Sequence, residues 1–88
     1  MSINTADLKK KIIYRSNYRG TKEMDKLLGS FTKKYINDLN YIELSYLNDM
    51  LNIDDEYLYK FNQGQESSDI IKFNRVTELF KNFIYKKE

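Results

Sequence analysis

Met24-Asp25-Lys26-Leu27-Leu28-Gly29-Ser30-Phe31-Thr32-Lys33-Lys34-Tyr35 carries apolar side chains at positions i, i+3, i+4, i+7 and i+11. That spacing puts Met24, Leu27, Leu28, Phe31 and Tyr35 on one stripe of an α-helix, whereas a β-strand would scatter them over two faces. The stretch predicts a helix that begins just after Gly20 and runs to about Tyr35. Gly29 lies inside it, where glycine costs up to about 1 kcal/mol against alanine. Close approach by a neighbouring helix is the ordinary compensation.

Working outward, a first helix is expected from about Thr5 to Tyr18. Asn4 or Thr5 caps it, Asp7 sits in its first turn, and Leu8 and Ile12 form an apolar face that Ile13 widens. A third helix starts at Asn40, where Asn40-Tyr41-Ile42-Glu43 resembles a capping box. It presents Leu44, Leu47, Met50 and Leu51. A fourth starts at Asp54 or Asp55, presents Tyr57, Leu58 and Phe61, and stops near Gly64. Gln65 to Ser68 reads as a polar loop. A fifth helix is expected from Ser67 or Ser68 to about Tyr85, with Phe73, Val76, Leu79, Phe80 and Phe83 along its stripe. The chain has no proline and only three glycines, and so few breakers favour helices throughout. The expected fold is all-α, a compact antiparallel bundle of five short helices forming a single domain over residues 1–88.

Composition narrows the chemistry. The 88 residues include no cysteine and no histidine, which removes disulfides, thiolate metal sites, the commonest metal ligand and the commonest general base. A domain of this size also has a thin core and little room for an enclosed active site. No segment approaches the roughly 20 apolar residues of a membrane span, and Met1 to Lys11 holds no apolar run that would serve as a signal peptide. A cytoplasmic protein without direct membrane insertion is therefore expected. Charge is uneven beneath a net +2. Residues 1–35 carry nine Lys/Arg against three Asp/Glu, residues 36–69 one against eight, and residues 70–88 five against two. Such a layout steers partners by its field, or lets oppositely charged helices pack side by side.

The junction before the second helix reads Tyr18-Arg19-Gly20-Thr21-Lys22-Glu23-Met24-Asp25. Gly20 permits a sharp turn or a close approach. Glu23 and Asp25 fall in the first turns of the second helix, where negative charge is favoured. Arg19 and Glu23 are four residues apart and positioned to pair across the junction, and the Arg19 guanidinium offers a planar fork for a carboxylate or carbonyl. Spacing alone favours a plain helix junction, with Arg19 a surface charge. No phosphate-loop pattern is present. The acidic run Asp54-Asp55-Glu56 lacks the ligand spacing of a calcium loop and reads as a helix start. Tyr14, Tyr18, Tyr46 and Tyr59 exceed what a core requires and suit a protein-binding face. Lys9, Lys10 and Lys11 read as a solvated face; a small regulatory or antitoxin-like module using this basic helix is the alternative reading.

Arg19-Gly20-x-x-Glu23-x-Asp25, continued by Leu27-Leu28-Gly29-x-Phe31, resembles the R-G-x-x-E-x-D motif of the SdhE-type succinate dehydrogenase assembly (flavinylation) factors. The resemblance extends through Asp54-Asp55 into the C-terminal helix. Tyr18 stands where that family often has a second arginine, Phe61 where it often has tryptophan, and its usual prolines are missing. The resemblance implies a five-helix bundle, monomeric when free, that binds the flavoprotein subunit of succinate dehydrogenase and promotes covalent attachment of FAD within that partner. Fumarate reductase is a further candidate partner. It implies no nucleic-acid partner and no catalytic, cofactor or metal site in this chain. It also places Arg19, Gly20, Glu23 and Asp25 on the partner-binding surface.

Overall fold

The computed structural model describes residues 5–65 and 71–85. Among them are five α-helices, α1 (Thr5–Asn17), α2 (Lys22–Tyr35), α3 (Tyr41–Met50), α4 (Asp55–Asn62) and α5 (Arg75–Asn82). There is no strand among the described residues. Helix α1 packs along α2 and touches α3, while α5 lies against α3 and α4. The radius of gyration is 12.4 Å, close to the roughly 12 Å expected of a compact chain this long.

The α2 stripe organises the core. Met24, Leu27, Leu28 and Phe31 are buried and Tyr35 packs against the same cluster. Each such side chain contributes about 1.5–3 kcal/mol through burial. Phe31 sits at the centre of an aromatic group, with ring centroids 5.1 Å from Tyr35, 5.2 Å from Phe80 and 5.4 Å from Phe83. Leu8 and Ile12 face this core from α1, but Ile13 does not widen the face. It is exposed, because the α1–α2 seam is narrow and Ile13 falls outside it. Gly29 does meet a close neighbour: a Cβ built there would lie 2.5 Å from Asn17 Oδ1 at the end of α1.

One polar pair interrupts the apolar α1–α2 seam. The Ser16 hydroxyl donates to the Ile12 carbonyl at 2.7 Å and lies 2.7 Å from Thr32 Oγ1, both side chains being buried. With the Ser16 proton directed to Ile12, the Thr32 hydroxyl is the donor between the two.

Helix ends follow local chemistry. Thr21 Oγ1 accepts from Met24 N and starts α2. At α3 the capping box is complete, Asn40 Oδ1 accepting from Glu43 N and Glu43 Oε1 accepting from Asn40 N. Helix α4 begins after Asp54, whose side chain makes no capping bond. It ends where Gln65 N donates to Lys60 O and Gly64 N to Phe61 O. With Gly64 at φ +72°, that pair of bonds is the Schellman arrangement.

The fifth helix departs from expectation. It begins at Arg75, with Asn74 and Thr77 forming a reciprocal capping box. Ser67 and Ser68 lie outside the described residues, as do Asn4 and most of the expected polar loop. Phe73 shares helical spacing with Val76 and Phe80, yet it precedes the helix and is exposed, and Ile71 enters the core instead. The helix stops at Asn82 rather than Tyr85. Asn62 Nδ2 accounts for this end, donating to the carbonyls of Phe80 and Phe83 while Phe83 turns extended.

Glu43 links α3 to α5 through an ion pair with Arg75. The Asn40 backbone N–H, and then Arg75, hold its carboxyl below the ordinary value of 4.5. A carboxyl lowered in the native state contributes stability that is complete above the unfolded value and is lost as pH falls through the native one. Urea midpoints of the wild type and Glu43→Gln should therefore differ near neutrality and converge as pH drops below about 4. A gap that persists unchanged at about pH 3 would reject the assignment.

Candidate partner-binding surface

The α1–α2 junction is built around an arginine that reaches away from its own loop. Arg19 Nε donates to Asp55 Oδ1 at 2.9 Å, one terminal nitrogen to the Leu51 carbonyl at 2.7 Å, and the other to the Ile53 carbonyl at 3.0 Å. Its side chain is only 11% exposed. Arg19 thus satisfies carbonyls left free at the end of α3 and neutralises a carboxylate in the first turn of α4. It pairs with Asp55 and not with Glu23, correcting the pairing expected across the junction. Four-residue spacing favours a pair only when both residues lie on one continuous helix, and the turn at Gly20 breaks that continuity.

Asp25 completes the loop. Its Oδ1 accepts from the Arg19 backbone N–H, fixing the residue before Gly20 to the first turn of α2. Gly20 is exposed with φ +112°, and nothing lies within 4 Å of a Cβ built there. Its requirement is conformational, since side chains avoid that backbone region. Glu23 is exposed, and no hydrogen bond or ion pair among the described residues engages its carboxylate. The four motif residues therefore come together as two kinds: Arg19 and Asp25 hold the junction, while Gly20 and Glu23 face outward.

Aromatic surface adjoins this loop. Tyr14 and Tyr18 are 66% and 70% exposed, and their ring centroids are 4.6 Å apart. Exposed Ile13 extends the same helix. Of the other surplus tyrosines, Tyr46 lines a separate groove with Phe73, and half-buried Tyr59 lines the groove described next.

Glu23 also lines an open groove of about 690 Å³ between the start of α2, the end of α4 and the segment after α5. Lys22, Lys26 and Lys81 line it together with Leu27, Phe83 and Ile84. Sequence spacing did not reveal it, because its walls come from three elements far apart in the chain. The same holds for Arg15, which binds the Asn48 carbonyl and side chain and the Asn52 side chain. Arg15 and Arg19 both carry positive charge from the basic N-terminal segment into the acidic middle one, so part of the charge asymmetry acts inside the fold. Among the described residues, no group of three or more His, Cys, Asp or Glu is placed to hold a metal, and no helix is long and apolar enough to cross a membrane.

The family model described as Sdh5, flavinator of succinate dehydrogenase, matches residues 10–84, from within α1 to beyond α5. No curated protein and no solved structure matches the chain.

Proposed function

Since the chain belongs to the Sdh5 family, the flavinators of succinate dehydrogenase, we propose that it binds the flavoprotein subunit of that enzyme through Gly20, Glu23 and the adjoining Tyr14–Tyr18 surface. Arg19 and Asp25 belong to the same surface as its support. The observation that carries this reading is the division of the motif: an internally bonded Arg19 and Asp25 present an exposed, unengaged Glu23 beside a backbone turn that only glycine adopts easily. Exposed tyrosines are typical of protein-binding surfaces, where a large ring and a polar tip meet a partner at low conformational cost.

The chain acts here as an assembly factor. Covalent attachment of FAD takes place within the flavoprotein, between a histidine of that subunit and the flavin. This chain has no histidine or cysteine to offer as base or nucleophile. Its contribution is positional: bound to the flavoprotein, it holds the partner's domains so that the reacting groups stay aligned. Positioning of this kind can lower a barrier by several kcal/mol, up to about 7–11 kcal/mol.

Glu23→Ala tests the contact. Glu23 is exposed and supports no internal bond, so the variant should lose only the favourable charge at the start of α2, about 0.3–1 kcal/mol by urea unfolding. Its affinity for purified apo-flavoprotein should fall at least tenfold, and covalent flavin, followed by in-gel flavin fluorescence after denaturation, should accumulate correspondingly slowly. Gly20→Arg should lose both binding and about 1–2 kcal/mol of stability, because the left-handed turn is strained for any side chain. Unchanged flavinylation with either variant would rule out this surface. No acceleration of flavinylation by the wild-type chain would rule out the function.

A further inference from the structure

We propose that the groove beside Glu23 is a second docking element, which takes an acidic segment of the flavoprotein carrying at least one large apolar side chain. This inference rests on the partner proposed above and adds where, and by what chemistry, that partner extends beyond the motif. Among the described residues, three lysines, Lys22, Lys26 and Lys81, line the groove against a single carboxylate, Glu23. Leu27, Phe83 and Ile84 supply its apolar surface, and Ile84 is 77% exposed. A lining that combines lysines with apolar side chains fits a chain that supplies carboxylates and a hydrophobic anchor together, because each satisfies a different part of the lining. Lys22 and Glu23 are neighbours in sequence, so the groove continues directly from the motif surface. A nucleic acid would need an extended basic track, and a groove with three lysines and a carboxylate in a chain with an acidic middle segment does not provide one.

The test is binding of the full chain to purified apo-flavoprotein at about 50 and 300 mM salt. It compares the wild type with Lys22→Glu/Lys26→Glu/Lys81→Glu and with a charge-matched control, Lys9→Glu/Lys10→Glu/Lys11→Glu. The groove variant should bind at least tenfold more weakly at low salt and lose most of its salt dependence, whereas the control should stay within about threefold. Ile84→Asp, a change at an exposed position, should also weaken binding severalfold with helix content unchanged, which guards against misfolding of the triple variant. Carbodiimide cross-linking of the wild-type complex should join the groove lysines to clustered Asp or Glu of the flavoprotein. If the groove variant binds like the wild type, or the control loses as much, the groove assignment is overturned and the motif contact stands. If the wild type binds a 20-nucleotide single strand more tightly than the flavoprotein, the acidic-peptide assignment is likewise overturned. If the wild type does not bind flavoprotein at all, the parent reading fails, and this one with it.

Discussion

Replacing Arg19 by alanine is expected to destabilise the chain by about 2–4 kcal/mol and to remove flavoprotein binding as a consequence. Hydrogen bonds to a charged group contribute about 1.5–3 kcal/mol each, and removing one partner of a shielded ion pair leaves the other uncompensated. Arg19 makes one such bond to Asp55 and two to the carbonyls of Leu51 and Ile53. Partial exposure of Asp55, 26% at its side chain, keeps the loss below the sum. Arg19→Lys should recover only a small part, since an ammonium on a flexible stem cannot serve all three acceptors in their observed directions. In a double-mutant cycle, Arg19→Ala and Asp55→Asn should be clearly non-additive, coupled by about 1 kcal/mol or more. Urea midpoints and flavoprotein affinity measured on the same preparations distinguish support from contact. If Arg19→Ala kept its midpoint while losing affinity, the guanidinium would be touching the partner, and the clamp described here would be incidental.

Phe31→Ala should have a still larger effect on the fold. Phe31 is fully buried and meets three aromatic rings. Truncating a buried phenylalanine costs about 3–5 kcal/mol, and an 88-residue domain has a total stability of only about 4–13 kcal/mol. For a domain of this size each lost kcal/mol lowers the thermal midpoint by about 4–8 °C. The variant should therefore melt at least about 12 °C lower, while Phe31→Leu, which keeps most of the volume, should lose less than half as much. Far-UV circular dichroism on heating gives both values. A fall under about 5 °C for Phe31→Ala would show that the Phe80 and Phe83 rings close over the space. The effect should reach the groove as well, because Phe83 rests on Phe31 and also lines the groove wall.

The sequence discloses some of these features and hides others for physical reasons. Helix α2 is legible because its partners in the pattern are three or four residues apart, and burial of one face leaves a periodic trace. The Asn40–Glu43 box is legible for the same reason, its two bonds spanning three residues. Gly20 and Gly64 announce their turns because few other residues tolerate a positive φ. Arg19 discloses that it matters but not where it goes, since its acceptors lie 32 to 36 residues away. The start of α5 is not legible in the sequence, because Phe73 has the right spacing to Val76 and Phe80 and yet is exposed. Its true start carries Thr77 where a capping box usually shows Glu or Gln. Asn62, which fixes the end of α5, has no sequence signature at all, because it acts 18 and 21 residues ahead. The groove is hidden for the same reason on a larger scale.

The Ser16–Thr32 contact has a consequence for recognition. Two helices that meet through hydrocarbon alone can slip past one another by a turn, about 5.4 Å, and exchange one set of apolar contacts for another. Here such a slip would strand the Thr32 hydroxyl inside the seam, at about 1–3 kcal/mol, while Ser16 would keep only its bond to the Ile12 carbonyl of its own helix. The pair therefore acts as a vernier mark between α1 and α2. Tyr14 and Tyr18 travel with the first helix and Glu23 with the second, so the mark also sets the distance between the aromatic and acidic halves of the proposed docking face before any partner arrives. Ser16→Ala/Thr32→Val, which erases the mark without leaving either hydroxyl alone, would keep the fold and blur that distance.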